Sequence, residues 1–179
     1  MKLWDFLKNK MKGNSNSMIL DGVNEMSFEE VIIFAERTAQ KLNGVKCCAI
    51  LCESEMLQSL AVLSCFAAGV TALPLSKRYG EVHCNNILRT VCPDAIFTDE
   101  SGKLDLEYLP ASELVVPKRK VALIMCTSGT SGKPKGAMLT CGICNSKIIA
   151  IYRLGICKII GCSAHSVNGV TDNLGCTCC

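Results

Sequence analysis

Residues 126–136 read Cys126-Thr127-Ser128-Gly129-Thr130-Ser131-Gly132-Lys133-Pro134-Lys135-Gly136. The stretch overlaps the end of an apolar run at 121–126, which we predict to be a buried strand. Glycines let the backbone bend tightly and aim successive N–H groups at an anion. The hydroxyl side chains add hydrogen-bond donors, and the two lysines add positive charge. This combination predicts a loop that holds a polyphosphate.

The loop does not have the spacing of a Walker A motif, which requires a glycine, four further residues and then Gly-Lys-Ser/Thr. Counting from Gly129, the second glycine position is taken by Pro134. Lys133 is followed by that same proline and not by a hydroxyl residue that binds magnesium. The spacing therefore excludes the P-loop NTPase class.

The run 127–136 resembles the phosphate loop of the adenylate-forming superfamily, which contains acyl-CoA synthetases, adenylation domains of nonribosomal peptide synthetases and luciferases. The pattern of that loop is Thr-Ser-Gly-Thr-Thr/Ser-Gly-x-Pro-Lys-Gly, and the ten residues match it throughout. Met26–Val31 resembles the early helix start of the family, and Phe66–Leu75 resembles its helix, Ala-Gly, strand and proline segment. The resemblance covers about residues 1–153, since 136–153 also fits the family's segment after the loop.

The resemblance implies an enzyme that joins a small carboxylic acid to ATP as an acyl-adenylate and releases pyrophosphate. Many members then transfer the acyl group to the thiol of coenzyme A or of a carrier protein. ATP and Mg²⁺ are the implied cofactors, and Lys133 occupies a variable position, where we expect a solvated lysine. The implied cofactor-binding residues are Thr127, Ser128, Gly129, Thr130, Ser131, Gly132, Lys135 and Gly136.

The sequence departs from the family downstream of the loop. Cys141 follows Thr140, where the family commonly has histidine. We find no aromatic-Gly-x-Thr-Glu segment for adenine and magnesium, no aspartate for the ribose, and no C-terminal domain with its catalytic lysine. We therefore assign neither a catalytic residue nor a metal ligand, and we expect this chain alone to be inactive, since most groups that would stabilise the transition state are missing.

Helical and strand patterns alternate on both sides of these motifs. We predict helices at Ser27–Leu42, Glu53–Ala68 and Gly80–Val91. We predict strands at Lys46–Leu51, Val70–Leu75, Ala95–Thr98 and Val121–Cys126. The alternation indicates an α/β fold with a mostly parallel sheet flanked by helices, and the resemblance makes it the partial N-terminal subdomain of an adenylate-forming enzyme.

Two local signals support the helix boundaries. Ser27 followed by Glu30 fits a capping box, in which each side chain accepts a hydrogen bond from a backbone N–H at the helix start. Gly69 follows the second helix, where a glycine commonly ends a helix.

The composition limits the class of protein. The chain has 179 residues, of which 49% are hydrophobic and 20% charged, and this argues against disorder. A formal charge of +3 gives no reason to expect binding to nucleic acid or to a membrane. The most apolar window, Leu57–Leu75, contains polar residues and a proline and is better interpreted as a buried helix and strand. The N-terminus lacks the apolar segment of a signal peptide, so we expect a cytoplasmic protein.

Fourteen cysteines fall into two groups. Seven precede residue 130 and have the pattern of small buried apolar residues: Cys47, Cys48, Cys52, Cys65, Cys84, Cys92 and Cys126. The other seven begin at Cys141 and crowd toward the end of the chain. We divide the chain into a truncated AMP-binding subdomain at 1–153 and a cysteine-rich tail at 154–179 without an independent fold.

Two other functions remain open. One is a noncatalytic stub that binds a nucleotide or a partner through the same loop. The other is a small zinc-binding module, because thiolates and an imidazole are zinc ligands, although a paired CxxC…CxxC is missing. Its candidate ligands would be Cys141, Cys144, Cys157, Cys162, His165, Cys176, Cys178 and Cys179.

Overall fold

The computed structural model describes residues 2–13, 18–20, 25–110, 121–127 and 135–141. The α-helices in these residues are α1 (Leu3–Lys12), α2 (Phe28–Ala39), α3 (Glu55–Ala68) and α4 (Glu81–Val91). The strands there are β1 (Met18–Leu20), β2 (Glu25–Ser27), β3 (Cys47–Leu51), β4 (Thr71–Pro74), β5 (Ala95–Thr98), β6 (Asp105–Tyr108), β7 (Val121–Thr127) and β8 (Lys135–Thr140). Short 3₁₀ turns follow α2 at Gln40–Leu42 and precede α4 at Lys77–Tyr79.

A six-stranded sheet forms the centre of the fold, with the order β6-β5-β3-β4-β7-β8. The four middle strands are parallel, with Ala49 of β3 opposite Leu73 of β4 and Ile96 of β5. β6 and β8 pair antiparallel at the two ends. The predicted mostly parallel sheet flanked by helices is confirmed, and the predicted helices and strands agree with the structure to within a few residues at each end.

The helices cover the two faces of the sheet because the middle strands are apolar on both sides. α3 packs on one face, and its cluster with the sheet includes Cys48, Ile50, Cys65 and Phe97. α4 packs on the opposite face, in a cluster that includes Cys47, Ala49, Leu73, Cys84 and Ile87. Neighbouring residues of β3 thus face opposite helices, as the two-residue period of a strand requires. α1 and α2 form a further layer over α3.

Helix α1, which the sequence analysis left unassigned, is held to α2 by apolar and polar contacts. Its apolar stripe, which includes Leu7, is buried against α2 and α3. The indole Nε1 of Trp4 donates to Oε1 of Glu36 at 3.1 Å, and the ammonium of Lys8 lies 2.5 Å from the same oxygen. These two donors hold the pKa of the Glu36 carboxyl below its ordinary value, Lys8 contributing more.

The caps predicted from the sequence are present. The Ser27 hydroxyl accepts from the Glu30 amide, and the Glu30 carboxylate accepts from the Ser27 amide at 2.8 Å. The Ser27 hydroxyl also donates to the Glu30 carboxylate at 2.8 Å, and this bond, together with that from the Ser27 amide, lowers the pKa of Glu30. Gly69 ends α3 in the left-handed conformation, with φ +72°, and the following amide of Val70 donates to the Cys65 carbonyl at 2.9 Å.

Asp94, immediately before β5, ties that strand to the start of β3. One oxygen of its carboxylate accepts from the backbone amides of Lys46 at 2.8 Å and Cys47 at 2.9 Å. Its own amide donates to the Cys47 carbonyl at 2.9 Å, and its carbonyl accepts from Leu109 at 2.8 Å. Asp94 therefore joins β3, β5 and the residue that follows β6 at one end of the sheet.

Candidate functional site

The candidate site lies at one edge of the central sheet. β5, β3, β4 and β7 run parallel, so their carboxyl ends, at Thr98, Leu51, Pro74 and Thr127, meet at the same edge. Ligands of open α/β sheets bind at this edge. The stretch that joins β7 to β8 begins there, one strand away from β4.

The two ends of the predicted phosphate loop are opposite each other. Thr127, the last residue of β7, pairs with Lys135, the first residue of β8, and Cys126 pairs with Gly136. Three predicted site residues therefore lie in a β-hairpin at the carboxyl edge. The other five, Ser128, Gly129, Thr130, Ser131 and Gly132, lie outside the described residues, so their contribution to a phosphate site stays a prediction.

The packing of the hairpin does not require a glycine at position 136. A Cβ built at this position would lie 3.5 Å from Cγ2 of Ile124 and 4.0 Å from Sγ of Cys126, which are ordinary contact distances. Its φ is not in the left-handed region. The described part of the hairpin therefore has room for a side chain at 136.

A crevice between β3 and β4 would be the usual ligand position, because the helices that follow these two strands lie on opposite faces of the sheet. Here, two contacts bridge it. The ammonium of Lys77, after β4, lies 3.0 Å from Oε1 of Glu53, after β3. Nε2 of Gln58 donates to the Leu75 carbonyl at 3.3 Å. The Glu53 hydrogen bond raises the pKa of Lys77.

Asp99 extends this line of contacts to β5. Its carboxylate accepts from the Glu53 amide at 2.9 Å and from the Ser54 amide at 2.8 Å. The Ser54 hydroxyl in turn caps α3 by accepting from the Leu57 amide. The sequence analysis missed Asp99, Glu53 and Lys77 as a group. The available signal was a charged residue shortly after each of three successive strands.

Two cysteines lie near this edge: Cys52, after β3, is buried, and Cys126, in β7, is half-buried. Burial raises the pKa of Cys52 to about 12 and that of Cys126 to about 11. Cys141, in the position where the family commonly has histidine, lies at the opposite edge, since Thr140 pairs with Val121 at the start of β7, and it packs half-buried against the layer of α1, α2 and α3. A thiol with so high a pKa is a poor nucleophile.

Within the described residues, no group of histidine, cysteine, aspartate and glutamate side chains is arranged to hold a metal ion. The tail that carries most of the candidate zinc ligands lies outside those residues, so the zinc hypothesis stays untested. Among the described helices, none combines the length and the apolar character needed to cross a membrane.

The fold and the hairpin define an α/β protein with a mostly parallel sheet, and the segment predicted to bind phosphate joins β7 to β8 at its carboxyl edge. A sequence model of the AMP-binding enzyme family matches residues 7–166. The chain therefore belongs to the AMP-binding enzyme family, whose members form adenylates. The resemblance found in the sequence is confirmed.

Individual relatives agree with this membership. Tenellin synthetase of Beauveria bassiana is 25% identical over 159 residues, which cover 71% of this chain and 4% of that protein. The adenylation domain AlmE of Vibrio cholerae, solved with glycyl-adenosine-5'-phosphate, superposes with a TM-score of 0.66 at 16% identity over 87% of this chain. The fatty acid AMP ligase of Legionella pneumophila gives a TM-score of 0.65 at 19% identity over 85% of this chain.

These similarities concern the fold and only part of each relative. The chain spans 38% of the AlmE structure and 32% of the Legionella ligase structure. At these identities the superpositions establish a shared fold. Activity, substrate and partner need separate arguments.

Proposed function

We propose that this chain is the phosphate-binding, N-terminal part of an ATP-dependent ligase that activates a carboxylic acid as an acyl-adenylate. The observation that carries the proposal is the pairing of Thr127 with Lys135. It holds both ends of the segment that has the family's phosphate-loop sequence at the carboxyl edge of the sheet. The acyl acceptor would be the thiol of coenzyme A or of a carrier protein. A cytoplasmic location and the boundary at 153/154 belong to the same proposal.

The residue types of the loop fit the β- and γ-phosphates of ATP. Backbone N–H groups at Gly129 and Gly132 and the neighbouring hydroxyls would donate to phosphate oxygens, and the Lys135 ammonium would neutralise charge. ATP supplies the adenylate and the leaving pyrophosphate. Magnesium would need carboxylate ligands, and the described residues contain no such group. We therefore propose that its ligands lie in another part of the complete active site.

We further propose that this chain alone does not catalyse adenylation. Transition-state stabilisation needs groups for adenine, ribose, magnesium and the carboxylic acid, in addition to a phosphate loop. A noncatalytic stub with the same loop is the second candidate function, and it also predicts binding without turnover. The two differ in one respect, because only the ligase fragment gains activity when the rest of an adenylate-forming domain is supplied.

The first experiment is calorimetric titration of the 179-residue chain with pyrophosphate and with ATP under reducing conditions. Lys135→Ala should weaken pyrophosphate binding by about 10-fold or more, because a hydrogen bond to a charged group contributes about 1.5–3 kcal/mol. Lys133→Ala is the matched control within the loop, and Lys103→Ala is an exposed control after β5. Binding that is absent, or equally sensitive to all three changes, would contradict the phosphate site.

The second experiment is carboxylate-dependent exchange of pyrophosphate into ATP. We expect none from the purified chain. Exchange by the chain alone would refute the proposed inactivity, whereas exchange only after addition of a C-terminal fragment of a related enzyme would favour the ligase fragment over the stub.

A further inference from the structure

Two cysteine thiols meet inside the core, between the central sheet and α3. Cys48 is the second residue of β3, and Cys65 begins the last turn of α3. Because α3 connects β3 to the parallel strand β4, it runs back across the sheet and its end returns to the start of β3. Both cysteines belong to one apolar cluster and are completely buried. Cys48 is the side-chain hydrogen-bond partner of Cys65, so the two thiols are in direct contact.

The other cysteines of β3 and its surroundings are placed differently. Cys47 precedes Cys48 in the strand and therefore faces the opposite side of the sheet, in the cluster that includes Cys84 of α4. Cys52 shares the cluster of Cys48 but lies beyond the carboxyl end of β3, whereas Cys65 lies toward the amino end. The described cysteines are all free thiols. The contact across the core thus distinguishes the pair of Cys48 and Cys65 as a site for oxidation.

We propose that Cys48 and Cys65 form a disulfide in the presence of a small-molecule disulfide such as oxidised glutathione, and that this bond fastens α3 to β3. One cysteine attacks the small disulfide as a thiolate, forms a mixed disulfide and releases one small thiol. The other cysteine then attacks the mixed disulfide and releases the second small thiol. The two protein thiols lose two protons and two electrons, and the small disulfide is reduced to two thiols.

Burial controls the rate of this reaction. The thiolate is the reacting form, and the pKa of Cys65 is raised by its contact with Cys48 and by burial. A small disulfide also needs access to one of the two sulfur atoms, and neither is exposed. The last turn of α3 must therefore open before the first step. We expect slow oxidation of the folded chain, and equally slow reduction of the bond once the helix has closed over it.

The bond should stabilise the fold. It closes a loop of about 18 residues in the unfolded chain, and the loss of chain entropy there corresponds to roughly 100-fold in the unfolding equilibrium. Disulfides in a reducing compartment are usually transient and respond to oxidants. The pair would therefore make the stability of this chain depend on redox conditions. Cys48 lies toward the amino edge of the sheet, away from the candidate site, so its oxidation can be measured whether or not the loop binds phosphate.

The test is disulfide mapping of the folded 179-residue chain after incubation with a mixture of oxidised and reduced glutathione. Trypsin leaves Cys48 and Cys65 together in the peptide 47–77, and cleavage after Glu53 and Glu55 then separates them. The two parts stay joined only through a disulfide. We expect mass spectrometry to identify a bond between Cys48 and Cys65 as the main product among the described cysteines, and reductant to remove it.

Cys48→Ala and Cys47→Ala are a matched pair of variants, because they change neighbouring residues on opposite faces of β3. Cys48→Ala should lower the yield of the joined peptides by about 10-fold or more, whereas Cys47→Ala should change it by less than about 2-fold. Joined peptides that persist in Cys48→Ala, or that are lost equally in both variants, would overturn the proposal.

Two measurements on the unchanged chain cover the case in which the variants do not fold. The oxidised chain should unfold at a higher urea concentration than the reduced chain, as a roughly 100-fold shift of the equilibrium requires. An identical midpoint would contradict the proposal. The same glutathione mixture added to the chain in urea shows whether the oxidant is active. If disulfides form there, and the folded chain shows no bond between Cys48 and Cys65, the proposal is refuted.

Discussion

Replacing Asp94 by alanine tests how the sheet is held together at the edge opposite the candidate site. The change removes the carboxylate oxygen that accepts from the amides of Lys46 and Cys47. It leaves the backbone bonds from Asp94 to Cys47 and from Leu109 to Asp94 in place. The change in stability therefore measures the contribution of the Asp94 carboxylate alone.

The expected cost depends on the burial of the two amides. Hydrogen bonds to charged groups contribute about 1.5–3 kcal/mol each. The Lys46 amide is exposed, so water can replace the carboxylate there, whereas the Cys47 amide is partly buried at the start of a buried strand. Counting the second bond fully and the first only in part, we expect Asp94→Ala to lower the free energy of unfolding by about 2–3 kcal/mol. Asp94→Asn keeps one acceptor oxygen without the charge, and it should cost about half as much.

The assay is urea unfolding at neutral pH under reducing conditions, followed by far-ultraviolet circular dichroism. Glu107→Ala is the control, because this exposed carboxylate on β6 should change stability by less than about 0.5 kcal/mol. If Asp94→Ala also falls within that range, water satisfies both amides and the carboxylate does not join the strands energetically. If alanine and asparagine cost the same, the charge and not the hydrogen-bond geometry is responsible.

Three further predictions concern the Glu36 carboxylate, the glycine that ends α3, and the cysteine thiols. Since the pKa of Glu36 is lowered in the fold, its stabilising effect should be present above the ordinary glutamate pKa and be lost as the pH falls through the folded value. Glu36→Gln should therefore destabilise the chain near neutral pH and much less in acid, as measured by the fluorescence of the single tryptophan during urea unfolding. Gly69→Ala should cost about 1 kcal/mol in thermal unfolding because of its left-handed backbone. The added carbon would have no atom within 4 Å, and φ is +72°. An unchanged midpoint would rule out strain at this cap. Burial raises the pKa of Cys47 and Cys52 to about 12, so iodoacetamide followed by peptide mass spectrometry should label half-buried Cys92 well before these two. Equal labelling of the three cysteines would indicate that β3 and the residue after it become exposed readily.

The centre of the fold was predictable from the sequence because the information there is local. β3 is an uninterrupted apolar run, β5 is apolar up to Thr98, and both are buried on both faces, while α2 begins at a capping box specified within one short segment. β6 was missed because Asp105–Tyr108 has exposed polar residues and is defined by its pairing with β5. β8 was missed for a similar reason, since its strand character comes from pairing with β7 across the loop.

The candidate site was only partly predictable. The phosphate loop was found from a contiguous motif, and its ends lie in the hairpin. The contacts of Asp99 with Glu53 and of Glu53 with Lys77 join residues 46 and 24 positions apart in the sequence. Such contacts depend on the order of strands in the sheet, and spacing within one segment does not specify that order.

The Thr127–Lys135 pair has a consequence for the thermodynamics of any ligand that the loop binds. Bringing together the ends of a segment of about seven residues costs entropy, and the length-dependent part is about 2 kcal/mol. That entropy is lost when β7 pairs with β8 during folding, before any ligand binds. A ligand of the loop then does not have to offset that part of the entropy, so more of its contact energy appears as affinity. Variants that loosen the hairpin should therefore weaken binding even when every residue between the two strands is unchanged.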